Sequence, residues 1–123
     1  MRARARHPGK LAEPRIELFP RLLTAAVYLS DPDDYDASAQ IALYADRAWV
    51  FAIAGAGFYL AFPALLARLR AEGVRVVEGY VRRAHYRLLA RETERAGVRC
   101  ELSAEPGRAF GRPMVWVTLR FLE

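Results

Sequence analysis

The sequence predicts an α+β domain in which a mixed central sheet carries helices packed on it. Two segments, PALLARLRAEG from Pro63 and RRAHYRLLARETERAG from Arg82, show helical spacing and close on a glycine that leads directly into a new apolar run. Short runs such as VRVVEGYV and MVWVTLRFL are dense in valine and aromatic residues, the composition of strands. With 123 residues, 54% of them hydrophobic, the chain has the length of one domain and can enclose a real core, while 27% charged residues is ordinary for a globular chain.

Residues 1–20 read as a basic, extended N-terminal arm, and residues 21–123 as a single α+β domain. The arm carries Arg2, Arg4, Arg6, Lys10 and Arg15, with prolines at 8, 14 and 20. Its basic start is not followed by the apolar run of a secretory signal. An arm of this kind is expected to pack on a protein partner or within an assembly of copies. Leu22–Leu29 reads as a buried strand. Asp31-Pro32 then has the character of a helix start: the aspartate accepts from free amides, Pro32 fits the first helical position, and Asp33 and Asp34 oppose the positive dipole end. A helix from Pro32 to about Ala45 would turn Tyr35, Ala39 and Ala42 inward. The same acids do not make a calcium loop, because Asp36 stands where the pattern needs glycine and Ala42 where it needs glutamate. No metal site is expected.

Ala48–Ala67 is twenty residues without a charge, bounded by Arg47 and Arg68. It has the length of a membrane span, with Trp49 near one end, and a single-span membrane protein is one reading of the chain. The preferred reading cuts it twice. Gly55-Ala56-Gly57 divides AWVFAIA from FYLAF as a hairpin would, and Pro63 opens a helix that ends at Gly73. Val74–Val81 follows as a strand, Arg82–Ala96 as a second helix, Val98–Ala104 as a strand, Glu105 to Pro113 as a turn-rich loop, and Met114–Leu122 as the last strand. The order is β-α-β-β-α-β-α-β-β. Taken from Leu22 to Tyr80 alone, β-α-β-β-α-β is also the ferredoxin-like order.

Candidate chemistry is sparse. Cys100, the single cysteine, excludes an internal disulfide and cysteine-based metal clusters, and suits a reducing compartment such as the cytoplasm. On the second helix Arg83, Arg87, Arg91 and Arg95 recur every four residues, opposite an arc of Tyr86, Leu89, Ala90, Thr93 and Ala96. With Arg2, Arg4 and Arg6 they form a candidate surface for an anionic partner. Nucleic acid is one such partner, although no aromatic residues interleave the arginines and no binding motif is present. His85, at the edge of the buried arc, is a candidate general base without an evident nucleophile beside it. Glu78 lies in mid-strand, where an inward carboxylate must be paired or must line a site.

From Ala48 onward the order of elements resembles the GNAT acyltransferase superfamily, in which a hairpin leads to a helix, a strand, a second helix ending in Gly-Phe (here Gly97-Val98) and two closing antiparallel strands. The matching text is PALLARLRAEGVRVVEGYV, RRAHYRLLARETERAGVRCEL and MVWVTLRF, about 75 residues, and the match is one of topology. The resemblance implies a GNAT-like fold and, in an active member, acetyl-CoA held on the amides of an Arg/Gln-x-x-Gly-x-Gly/Ala turn. Here the first helix opens FPALLARLR without that turn, and Thr93 stands where the family often has a tyrosine general acid. The expectation is therefore a GNAT-like domain without a recognisable cofactor site, acting as a structural or accessory interaction protein, in the cytoplasm or in a virus-like particle assembled there. The alternative is a divergent acetyl-CoA-dependent N-acyltransferase whose amine substrate approaches Glu78 and Tyr80.

Overall fold

A computed structural model describes residues 21–122. The basic arm, with Arg2, Arg4 and Arg6, lies outside the described residues. Six strands form one sheet in the order β1-β2-β3-β4-β6-β5. They are β1 (Arg21–Val27), β2 (Ala37–Tyr44), β3 (Arg47–Gly55), β4 (Val76–Arg82), β5 (Cys100–Ala109) and β6 (Arg112–Phe121). Helix α1 (Phe62–Ala71) joins β3 to β4 after a 3-10 turn at Phe58–Ala61, and α2 (Tyr86–Glu94) joins β4 to β5 after another at Arg83–His85. Neighbouring strands run antiparallel except β3 and β4, which are parallel. This is the mixed α+β sheet that the sequence predicts.

Two predicted elements are different. The segment read as a helix from Pro32 is a turn followed by β2. Asp31 does cap backbone, accepting from the Asp33 amide at 2.8 Å, but the turn goes no further. Ala37, Ala39, Ile41 and Leu43 alternate into the core, and β2 is flanked on both sides by strands. Burial with period two between two ladders outweighs a good helix start. The ferredoxin-like order, which needs that helix, is lost with it. The second correction concerns FYLAF, which is a 3-10 turn and the start of α1 and not a returning strand. The hairpin is formed instead by β2 and β3 around Ala45-Asp46. The charge-free stretch is thus one strand, one tight turn and most of one helix. No helix among the described residues is long and apolar enough to cross a membrane.

Leu22–Leu29, read as a buried strand, forms β1 but at the edge of the sheet, where its residues are exposed or half-buried. Other predictions carry over with shifted ends. Pro63 lies in the first turn of α1, and Gly73, at φ 91°, follows its end. β5 extends through Glu105-Pro106-Gly107, read as loop; an edge strand tolerates a proline because one side of it has no ladder to complete.

The helices pack on one face of the sheet. Leu66, Leu69 and Leu89 join Ile41, Val50, Val77, Val81, Val117 and Leu119 in a single buried cluster. The other face is aromatic and polar. Along it Tyr44 stands opposite Arg47, Trp49 opposite Glu78, and Tyr80 opposite Trp116. Trp49 stacks on Phe51 at 4.5 Å, and Tyr80 meets Trp116 edge-on at 4.9 Å.

Candidate functional site

The sheet opens between β3 and β4. The two strands pair over Arg47–Val76, Ala48–Val77 and Trp49–Glu78 and then part. Gly79 marks the branch point: a Cβ there would lie 2.5 Å from the Val50 carbonyl oxygen, so only glycine lets the strands approach before they separate. One extra residue in β3 drives the separation. Gln40 faces Phe51 but Ser38 faces Ala54, a bulge that contains Ala52 at φ 52°. The bulge reverses the alternation, so that Ile53, not Ala52, joins the core side. The resulting cleft is lined by apolar groups, chiefly Val50, Ile53, Phe58, Tyr59, Phe62 and Leu89. Burial pushes the Tyr59 phenol up to about 12, so it stays protonated. Its ring lies 5.9 Å from that of His85.

Above the cleft, Gly55-Ala56-Gly57 stands immediately before the helical segment, the place that the hairpin reading had denied it. One of its amides is already engaged. The Ala56 amide donates to the Asp36 carbonyl at 3.2 Å, and a Cβ on Gly55 would sit 2.2 Å from that oxygen. A Cβ on Gly57 would meet the Leu29 side chain at 2.6 Å. Leu29 and Asp36 belong to the β1–β2 loop, which also carries Asp31, Asp33 and Asp34. The Asp36 carboxylate closes this loop by accepting from the Leu29 amide at 2.7 Å, the Ser30 amide at 3.1 Å and the Ser30 hydroxyl at 2.9 Å. These bonds, the one from Leu29 first, hold its carboxyl below the usual range. Pro63 further removes one donor from the first turn of α1.

The residues singled out from sequence are not brought together. Glu78 and Tyr80 project from the helix-free face of β4, whereas His85 is exposed at the start of α2, against Tyr59. Glu78 is buried and paired: it accepts from Arg47 at 2.5 Å and from the Tyr44 hydroxyl. Burial alone would raise its carboxyl, but these two bonds and the Arg47 charge outweigh that and hold it below the ordinary value. Tyr44, by contrast, is pushed up by burial and then by its bond to Glu78. Sequence reasoning missed Tyr44 and Arg47 because the helix reading hid the two-residue turn that sets them side by side. Arg83, Arg87, Arg91 and Arg95 are all exposed. Arg91 and Arg95 share the buried Glu92, at 3.7 and 3.5 Å. No cluster of histidine, cysteine and carboxylate side chains fit to hold a metal occurs among the described residues.

No protein-family model and no curated protein sequence matches the chain. Solved structures do. A Sphaerobacter thermophilus protein assigned as an acetyltransferase superposes with a TM-score of 0.58 at 15% identity, over 84% of this chain and 71% of that one. The ribosomal-protein-S18-alanine N-acetyltransferase of Escherichia coli gives 0.58 at 20% identity, over 85% and 71%. TofI, solved with an inhibitor and MTA, gives 0.54 at 13%, over 93% and 73%. The chain therefore has a GNAT-like fold. At such identities the likeness is one of fold alone.

Proposed function

We propose that this chain is a GNAT-like domain that works through macromolecular contacts and not through coenzyme A, as an accessory or assembly protein. The observation that supports this reading is the state of the Gly55–Gly57 turn. A pyrophosphate needs free amides and a positive field at a helix start. Here the Ala56 amide is bonded to Asp36, Leu29 abuts Gly57, and four aspartates sit in the loop alongside. The stretch Ala48–Ala67 supplies no compensating cation. Contact surfaces, in turn, are abundant: the arginines of α2 suit an acidic partner protein, and the basic arm offers a second attachment. Titration calorimetry with acetyl-CoA tests the reading. The expected result is no saturable heat at millimolar ligand, whereas micromolar binding would overturn it.

A second reading retains catalysis. The β3–β4 cleft is apolar and opens at a glycine branch point, which suits an acyl chain. In that case the chain is a divergent N-acyltransferase with Glu78 and Tyr80 near the amine. Glu78→Gln would then abolish acetyl transfer to a cationic amine, a result the first reading does not allow because it predicts no transfer by the parent chain.

A further inference from the structure

We propose that two copies of this chain associate through β1, antiparallel about Thr24, to make one continuous sheet. β1 and β5 are the sheet edges among the described residues, and they differ in kind. β5 carries Glu101, Glu105, Pro106 and Arg108, the charges and proline that keep an edge from pairing. β1 has only Arg21, at its first position: from Leu22 to Ser30 there is no charge and no proline. It is also apolar on both faces. Leu23, Ala25 and Val27 lean on the core, while Leu22 is 61% exposed on the other side. An unblunted edge of this length is a template for another strand.

Charge selects the second copy as that strand. β1 begins at the exposed Arg21, and the twenty residues before it hold five basic groups and two acidic ones. Beyond Val27 the loop brings Asp31, Asp33, Asp34 and Asp36 back beside the strand end, with the Asp36 amide donating to the Val27 carbonyl at 2.8 Å. Arg21 already pairs with Glu72 of its own chain at 3.8 Å, so the basic character at this end belongs to the segment tethered before it, net +3 by sequence, and an antiparallel copy brings that segment to the acidic loop at both ends by twofold symmetry. Centring on Thr24, the midpoint of Arg21–Val27, sets Arg21 against the other copy's Val27, next to its acidic loop. The same register sets Leu22 against Ala26 on the outer face and Leu23 against Ala25 on the core face, which joins the two cores. The acidic loop also borders the Gly55–Gly57 turn, but Leu22, Thr24 and Ala26 lie on β1 away from it, so variants at those positions test the inference independently of coenzyme binding.

Sedimentation equilibrium of the full chain tests it, with twice the single-chain mass as the expected result. Leu22→Lys with Ala26→Lys places like charges opposite each other across the axis and should yield a monomer with an unchanged circular dichroism spectrum. Leu22→Glu with Ala26→Lys places opposite charges there and should remain dimeric. In a Cys100→Ser background, Thr24→Cys should cross-link under mild oxidation, because the two residues meet at the axis. A monomeric parent chain at high micromolar concentration overturns the proposal. So does a dimer that survives the paired lysines and fails to cross-link at Thr24.

Discussion

At the scale of single residues, Glu78 decides the most. Its carboxylate is buried and joined to Arg47 and Tyr44, so Glu78→Ala removes the acceptor that the guanidinium and the phenol share. Because Arg47 is itself a third exposed, the cost is set below that of a fully buried pair, at about 2 kcal/mol of unfolding free energy in a denaturant titration. The pH dependence has a definite sign. Glu78 and Asp36 both sit below their ordinary values in the folded chain. The unfolded chain therefore takes up protons first as pH falls, and the stability these groups supply is present above the ordinary carboxylate range and lost on passing down through the folded-state values. Melts recorded from neutral to acid pH should show this decline, and Glu78→Gln should flatten it. Phe110 gives a prediction of opposite sign. It is 86% exposed at φ 55°, in the two-residue turn that it forms with Gly111 between β5 and β6. Both turn residues have positive φ, the conformation that Asn-Gly adopts most readily. Phe110→Asn should stabilise the chain by about 0.5–1 kcal/mol.

At the scale of elements, the branch of the sheet depends on one missing side chain. Gly79→Ala forces a Cβ against the Val50 carbonyl, and backbone on both sides leaves little room to yield. A loss of about 2–3 kcal/mol in thermal or chemical unfolding is expected, with the β3–β4 ladder opening first in hydrogen exchange. Which elements were legible in the sequence follows from their context. α1, β4, α2 and β6 were, because a proline start, two glycine stops and valine-rich runs act over a few residues. β2 was not: Asp31-Pro32-Asp33-Asp34 begins a helix in isolation, and only the flanking β1 and β3 convert ASAQIALY into a central strand. FYLAF was misread for a related reason. Aromatic density suits a strand or a helix packed against a sheet equally, and the bulge at Ala52 that turns the chain has no glycine or proline to announce it.

At the scale of the whole molecule, the sheet order, the parallel β3–β4 pair and both helices on one face make a GNAT-like fold, and that much was legible from the order of elements. The character of the site was only partly so. The sequence shows that α1 opens FPALLARLR without a glycine turn of its own. It does not show that Gly55-Ala56-Gly57 reaches a helix start after all, nor that Asp36 and Leu29, from a loop some twenty residues earlier, contact it. Those contacts come from tertiary packing of β1 and β2 against the end of β3. The central claim of the proposed function is that this turn does not hold a coenzyme. The most direct measurement is an amide-resolved NMR titration of the isotope-labelled chain with acetyl-CoA, following the amides of Gly55, Ala56, Gly57 and Phe58. The account predicts no saturable shift at these positions. Saturable shifts there, accompanied by loss of the Ala56–Asp36 hydrogen bond, would contradict it.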